Sequence, residues 1–128
     1  MTTNKEYALL CEFATQSTNG LNSFMHVFDR SMFAANDPVQ LRGFLAMRLT
    51  HLPENPNLEV YVTDATNTLV ENGTMFKQQI KGPNANLLVR IGGMPVAKVG
   101  AYRIWSRVDG AEPLELCTWH AESKPVVA

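Results

Sequence analysis

The sequence predicts an all-β sandwich of about seven to nine mostly antiparallel strands, with at most one short helix. Short apolar stretches with period-two alternation recur along the 128 residues. Turn-forming groups separate them every ~8–14 residues, and the alternating helical patterns that βαβ units need are missing. The clearest stretch is Met94 to His120, where Tyr102, Ile104 and Val108 alternate with Arg103, Trp105 and Arg107 before Asp109-Gly110 reverses the chain. At this length the chain reads as one domain, residues 1–128, able to bury a core without metal or disulfide.

Tyr7 to Ala14 is the first predicted strand, with Tyr7, Leu9, Cys11 and Phe13 on one face and Ala8, Leu10 and Glu12 on the other. Turn residues at Gln16 to Gly20 close it. Leu21 to Phe28 is apolar on both faces apart from Asn22, Ser23 and His26, which suits a covered interior strand better than an edge; a helix over Asn22 to Met32 is the weaker alternative. Asn36-Asp37-Pro38 interrupts the chain. Val39 to Thr50 is a long strand, with Leu41, Gly43, Leu45, Met47 and Leu49 facing inward.

Two prolines stiffen the loop at Pro53 to Asn57. Leu58, Val60 and Val62 continue the core, and Asp64-Ala65-Thr66-Asn67 makes the next reversal. Leu69 to Ile80 is interrupted at Asn72-Gly73 by a bulge or a second turn. Lys81-Gly82-Pro83-Asn84 turns into a strand over Leu87 to Ile91, and Gly92-Gly93-Met94-Pro95 is read as the turn before the final hairpin. In that hairpin a two-residue loop would mix the two faces. A three-residue loop, with Gly110 or its neighbour at positive φ and an adjoining bulge, pairs Ile104 with Leu116, Tyr102 with Thr118, Trp105 with Glu115 and Arg103 with Cys117.

The run Gly100-Ala101-Tyr102-Arg103-Ile104 followed by Val108-Asp109-Gly110 resembles the last hairpin of immunoglobulin-like or C2-like sandwiches in bacterial proteins. Together with Ala8-Leu9-Leu10-Cys11-Glu12 and Phe28-Asp29, it gives the chain a resemblance to an uncharacterised family of small bacterial proteins. The chain departs from that family's pattern in the middle, where Asp64-Ala65-Thr66-Asn67 stands in place of an aspartate-glycine turn. The resemblance implies an immunoglobulin- or C2-like fold and a bacterial or phage source, and it brings no catalytic residue, cofactor or substrate.

Eleven basic and twelve acidic residues leave a net charge of −1. That balance disfavours a phosphate-gripping, nucleic-acid-binding surface. No run approaches the roughly 18 apolar residues of a membrane helix, and the amino terminus lacks the pattern of a secretory signal, so the expected compartment is the cytoplasm. Cys11 and Cys117 are expected to be reduced and buried on strands.

Signals for chemistry are sparse. Cys117 and His120 are the only close His/Cys pair, and positions three apart on a strand face opposite sides, so no metal site is expected. Ser31, His26 and Asp29 could be assembled into a hydrolase triad, but no nucleophile-elbow glycines surround Ser31, and this is the least favoured reading. Neither cofactor nor catalytic residue is assigned. The feature that stands out is the outward face of the final hairpin, Arg103, Trp105 and Arg107 opposite Glu115, Cys117 and Trp119. Arginine and tryptophan are enriched at interfaces, so Arg103, Trp105, Arg107 and Trp119 are the candidate binding residues. The expected function is a non-enzymatic interaction or assembly module, binding a protein partner or itself through a strand edge or the Trp105 face. The alternative is a small-ligand or carbohydrate-binding domain using the same aromatic-arginine platform.

Overall fold

The computed structural model describes residues 2–125, and among them it contains nine strands and no helix. In chain order these are β1 (Asn4–Gln16), β2 (Asn22–Phe28), β3 (Arg30–Phe33), β4 (Gln40–Thr50), β5 (Asn57–Asp64), β6 (Leu69–Gln79), β7 (Ala85–Pro95), β8 (Gly100–Val108) and β9 (Leu114–Ser123). They form a four-stranded sheet, β2-β1-β4-β7, and a five-stranded sheet, β3-β9-β8-β5-β6. All pairings are antiparallel except β3 with β9. The two sheets share one core, to which Leu10, Leu45, Met47 and Leu49 contribute from one side and Leu58, Val60, Val62 and Ile104 from the other. No helix of the described residues is long and apolar enough to cross a membrane.

The alternation predicted for β4 and β5 is present. Leu41, Leu45, Met47 and Leu49 are buried, as are Leu58, Val60 and Val62. Gly43 sits at φ +138° where β4 shifts register against β7, and a Cβ there would lie 2.6 Å from the Cys11 carbonyl oxygen. No other residue fits that approach. Asn72-Gly73 is a bulge inside the single strand β6, the first of the two predicted possibilities.

Three expectations are corrected. Gly92 to Pro95 is not a turn but the end of β7, with Leu41 paired to Met94 and Gln40 to Pro95. Gly93, at φ +136°, absorbs the irregularity that a turn would otherwise explain, and Pro95 is tolerated because β7 is an edge strand. Leu21 to Phe28 is neither interior nor helical. It forms β2 at the open edge of the four-stranded sheet, and after Asp29 the chain passes directly into β3 of the other sheet.

The third correction lies in the final hairpin. Asp109 and Gly110 both have positive φ, 50° and 72°, and Ala111 N–H donates to the Val108 carbonyl in a tight turn, while Ser106 pairs with Leu114 in the odd-loop register that was expected. Glu112 and Pro113 lie outside the ladder. Trp105 still pairs with Glu115, as predicted. A further bulge, which was not expected, falls at Leu116, so Ile104 pairs with Cys117, Arg103 with Thr118 and Tyr102 with Trp119. One extra residue on β9 thus turns Trp119 from the outward face to the core, where it is fully buried.

Candidate functional site

The outward face of the five-stranded sheet holds three of the four candidate residues. Alternation along β8 brings Arg103, Trp105 and Arg107 to it, and the β5 register sets Thr63, Tyr61 and Glu59 directly beside them. Thr74 follows on β6, opposite Tyr61. The row Thr74, Tyr61, Trp105, Glu115 therefore runs across four strands. Glu59, Tyr61, Thr63, Thr74, Trp105 and Arg107, with Asn67, Leu69 and Pro113, line a cleft of about 520 Å³, and Arg103 and Glu115 lie outside its lining.

Trp105 is half-buried and fixed in orientation, because its indole Nε1 donates to Thr63 Oγ1 at 2.8 Å. The Arg107 guanidinium lies 5.3 Å from the Tyr61 ring centroid and donates from Nη2 to the Tyr61 hydroxyl at 3.3 Å. Such a cation–π contact holds the arginine flat on the sheet. Its Nη1 is 3.9 Å from Glu59, while Arg103 Nε is 3.9 Å from Glu115 and Arg103 Nη1 donates to Asn67 Oδ1 at 3.3 Å. Glu59 is shared, since Lys77 Nζ also lies 3.9 Å from it, so three cations meet two carboxylates on this face. Arg107 Nε is shut off from solvent and has no hydrogen-bond partner.

Trp119 belongs elsewhere. It packs between Tyr102, with ring centroids 5.6 Å apart, and Phe33, at 6.4 Å, and its Nε1 donates to Ser31 Oγ at 3.0 Å. A fully buried indole has no contact to offer a partner, so Trp119 is removed from the binding set. The bond also fixes Ser31 as a structural hydroxyl. His26 Nδ1 lies 3.6 Å from Glu12, and Asp29 pairs with Arg30, so Ser31, His26 and Asp29 each have another partner and form no relay.

Cys11 and Cys117 are free thiols on β1 and β9. Burial pushes the Cys117 thiol up to about 12 and raises that of Cys11, which leaves both protonated and poor nucleophiles near neutrality. Among the described residues no group of three or more His, Cys, Asp or Glu side chains is placed to hold a metal.

A second surface lies on the arm made by β1 and β2, and the sequence reading placed it inside. Of the eight large apolar side chains left exposed among the described residues, six lie here or just beyond: Phe13, Leu21, Phe24, Met25, Val27 and Met32. Phe13, Leu21, Met25 and Val27 are each about 60 % exposed. The arm is nevertheless held in place. Asn22 Nδ2 donates to the Tyr7 hydroxyl and to the Leu87 carbonyl, Gln16 Nε2 donates to the Asn86 carbonyl, and the Phe24 ring lies 5.9 Å from that of Tyr7. The signal was present in the two-sided apolar pattern of residues 21–28, but it points equally to burial by the chain's own second layer.

A scan against protein-family models and a search of curated proteins find no match to this chain.

Proposed function

We infer that this protein is a non-enzymatic assembly module that associates with a second copy of itself through the exposed side of the β1–β2 arm. The observation that carries the reading is the mismatch between the composition of β2 and its position. Its residues are those of a strand covered on both faces, yet it lies at a sheet edge with Met25 and Val27 about 60 % exposed. Edge strands of monomers are blunted by lysine, proline or inward-pointing charge, and β2 has none of these. Clustered exposed apolar area of this kind marks an interaction surface.

A second copy suits the patch better than a charged partner, because the ionisable groups on or beside it are paired with one another, Glu12 with His26 and Asp29 with Arg30. An apolar, locally neutral surface is complementary to itself, as a two-fold contact requires. His26 lies in the left-handed region at φ 60° and breaks the free edge of β2, so the contact rests on side chains rather than on a continued backbone ladder. Two free thiols agree with a reducing, cytoplasmic setting.

The deciding measurement is light scattering on wild type and on the double variant Met25→Lys, Val27→Lys over a concentration series, with thermal melts alongside. Wild type is expected to reach the dimer mass by about 100 µM, an ordinary affinity for a modest interface, with the variant folded and monomeric. Wild type that stays monomeric across the range overturns the reading. A dimer that survives the double variant but is lost in Trp105→Ala moves the contact to the outer face of the five-stranded sheet.

A further inference from the structure

The cleft over β5, β6 and β8 lies on the other sheet from the arm, and its chemistry differs. We propose that it binds a neutral saccharide, with one sugar ring stacked on Trp105 and its hydroxyls read by the polar side chains around that ring. This goes beyond self-association and does not rest on it.

Stacking needs an aromatic ring held still and open on one face. Trp105 meets these conditions, since its indole N–H is already satisfied by Thr63 at 2.8 Å and the ring is partly exposed in the lining of the cleft. The CH-bearing face of a pyranose buries apolar area on such a ring, while its rim of hydroxyls must donate and accept at once. The surroundings supply both functions: Arg107 only donates, Glu59 only accepts, and Asn67 and Thr74 do either.

The charges lining the cleft balance. The charged side chains that line it are Arg107 and Glu59, 3.9 Å apart, one of each sign; Lys77 also lies 3.9 Å from Glu59 but is largely exposed, where salt screens its charge. At that distance the pairs are ionic neighbours rather than tight hydrogen bonds, and their donors and acceptors stay available for hydroxyls. The volume of about 520 Å³ falls within the range of small-ligand sites. Arg107 adds an independent sign, because its Nε is buried without a partner. An N–H in that state is costly, and a small shift of the side chain towards a bound hydroxyl would satisfy it. A peptide is disfavoured as occupant: β5 and β8 each have neighbours on both sides, so the floor has no free backbone edge onto which a strand could add.

The two tryptophans make the test internally controlled. In ¹⁵N-labelled protein the Trp105 and Trp119 indole N–H signals report the cleft and the core respectively. Maltoheptaose, cellohexaose, chitohexaose, an oligogalacturonate and adenosine would each be titrated to about 10 mM, far enough to detect millimolar binding. The expected result is that at least one neutral oligosaccharide moves the Trp105 signal saturably and leaves Trp119 in place. Affinity, followed in wild type and variants by the backbone amide signals of Thr63 and Thr74, should fall at least tenfold in Trp105→Ala and be partly kept in Trp105→Phe. A Trp105 signal that no neutral saccharide moves overturns the proposal. So does a stronger response to the oligogalacturonate or to adenosine, since either would show that charge or a flat aromatic ring, not a polyol, is recognised.

Discussion

The Trp105 indole donates to the Thr63 hydroxyl at 2.8 Å, a bond between adjacent strands, β8 and β5, on the outer face of their sheet. Thr63 is buried, so its hydroxyl is shielded from water and the bond governs where the ring points. Thr63→Val keeps the branched shape and removes the acceptor. The expected outcome is a loss of about 1 kcal/mol in a denaturant melt and faster solvent exchange of the Trp105 indole proton. An unchanged exchange rate would show that the bond is not maintained in solution.

The two tryptophans should behave in opposite ways when truncated. Trp119 fills the space between Tyr102 and Phe33, and Trp119→Ala leaves a large cavity together with an unpartnered Ser31 hydroxyl. The expected loss is about 3–5 kcal/mol. Trp105→Ala removes a half-exposed side chain and should cost less than half as much. Equal shifts in the midpoints of urea melts would contradict the placement of these two residues on opposite faces.

The fold was largely legible because strands with one wet face declare themselves. Leu41, Leu45, Met47 and Leu49 on β4, and Leu58, Val60 and Val62 on β5, are core residues at the positions that alternation assigns them. The failures share a physical cause. Alternation is read by counting in twos, and one bulge at Leu116 changes the parity of everything after it, which is why Trp119 was assigned to the wrong face while Trp105 was not. Gly92-Gly93 looks like a turn for a related reason: glycine marks any unusual φ, and here it marks a bulge within β7. Half of the outer-face cleft was legible in Trp105 and Arg107. The other half, Glu59, Tyr61, Thr63 and Asn67, comes from pairings across β5 and β8 that are far apart in sequence. The exposed arm was invisible because a strand awaiting another chain and a strand covered by its own have the same composition.

At the tip of the last hairpin Gly110 has φ 72°, and a Cβ added there meets nothing within 4 Å. The cost of a side chain is therefore in the backbone alone. Gly110→Val should destabilise by about 1 kcal/mol or more, since β-branched residues resist positive φ, while Gly110→Asn should be tolerated because asparagine enters that region readily. Ala111→Val should be nearly neutral. Equal denaturant midpoints for Gly110→Val and Ala111→Val would remove Gly110 from the special position in the turn.

Asp64 organises the reversal between β5 and β6 through one carboxylate oxygen. Its Oδ1 accepts from the Thr66 hydroxyl at 2.6 Å and from the backbone N–H groups of Thr66 and Thr68, at 2.8 and 3.1 Å. The Thr66 hydroxyl, then these N–H groups, hold its carboxyl below the ordinary aspartate value. A lowered folded-state value means that the charged form stabilises the native turn. That contribution is fully present above the unfolded-state value of about 3.9 and disappears as pH falls through the lower folded-state one. Asp64→Asn keeps an acceptor of the same shape but no charge, so the variant should melt slightly below wild type at pH 7, and the gap should close as pH falls below about 4. The site is solvent-exposed, so the gap should be no more than a few degrees. A gap that stays constant from neutral to acid pH would assign it to geometry, and the charge on Asp64 would then contribute nothing to holding the turn.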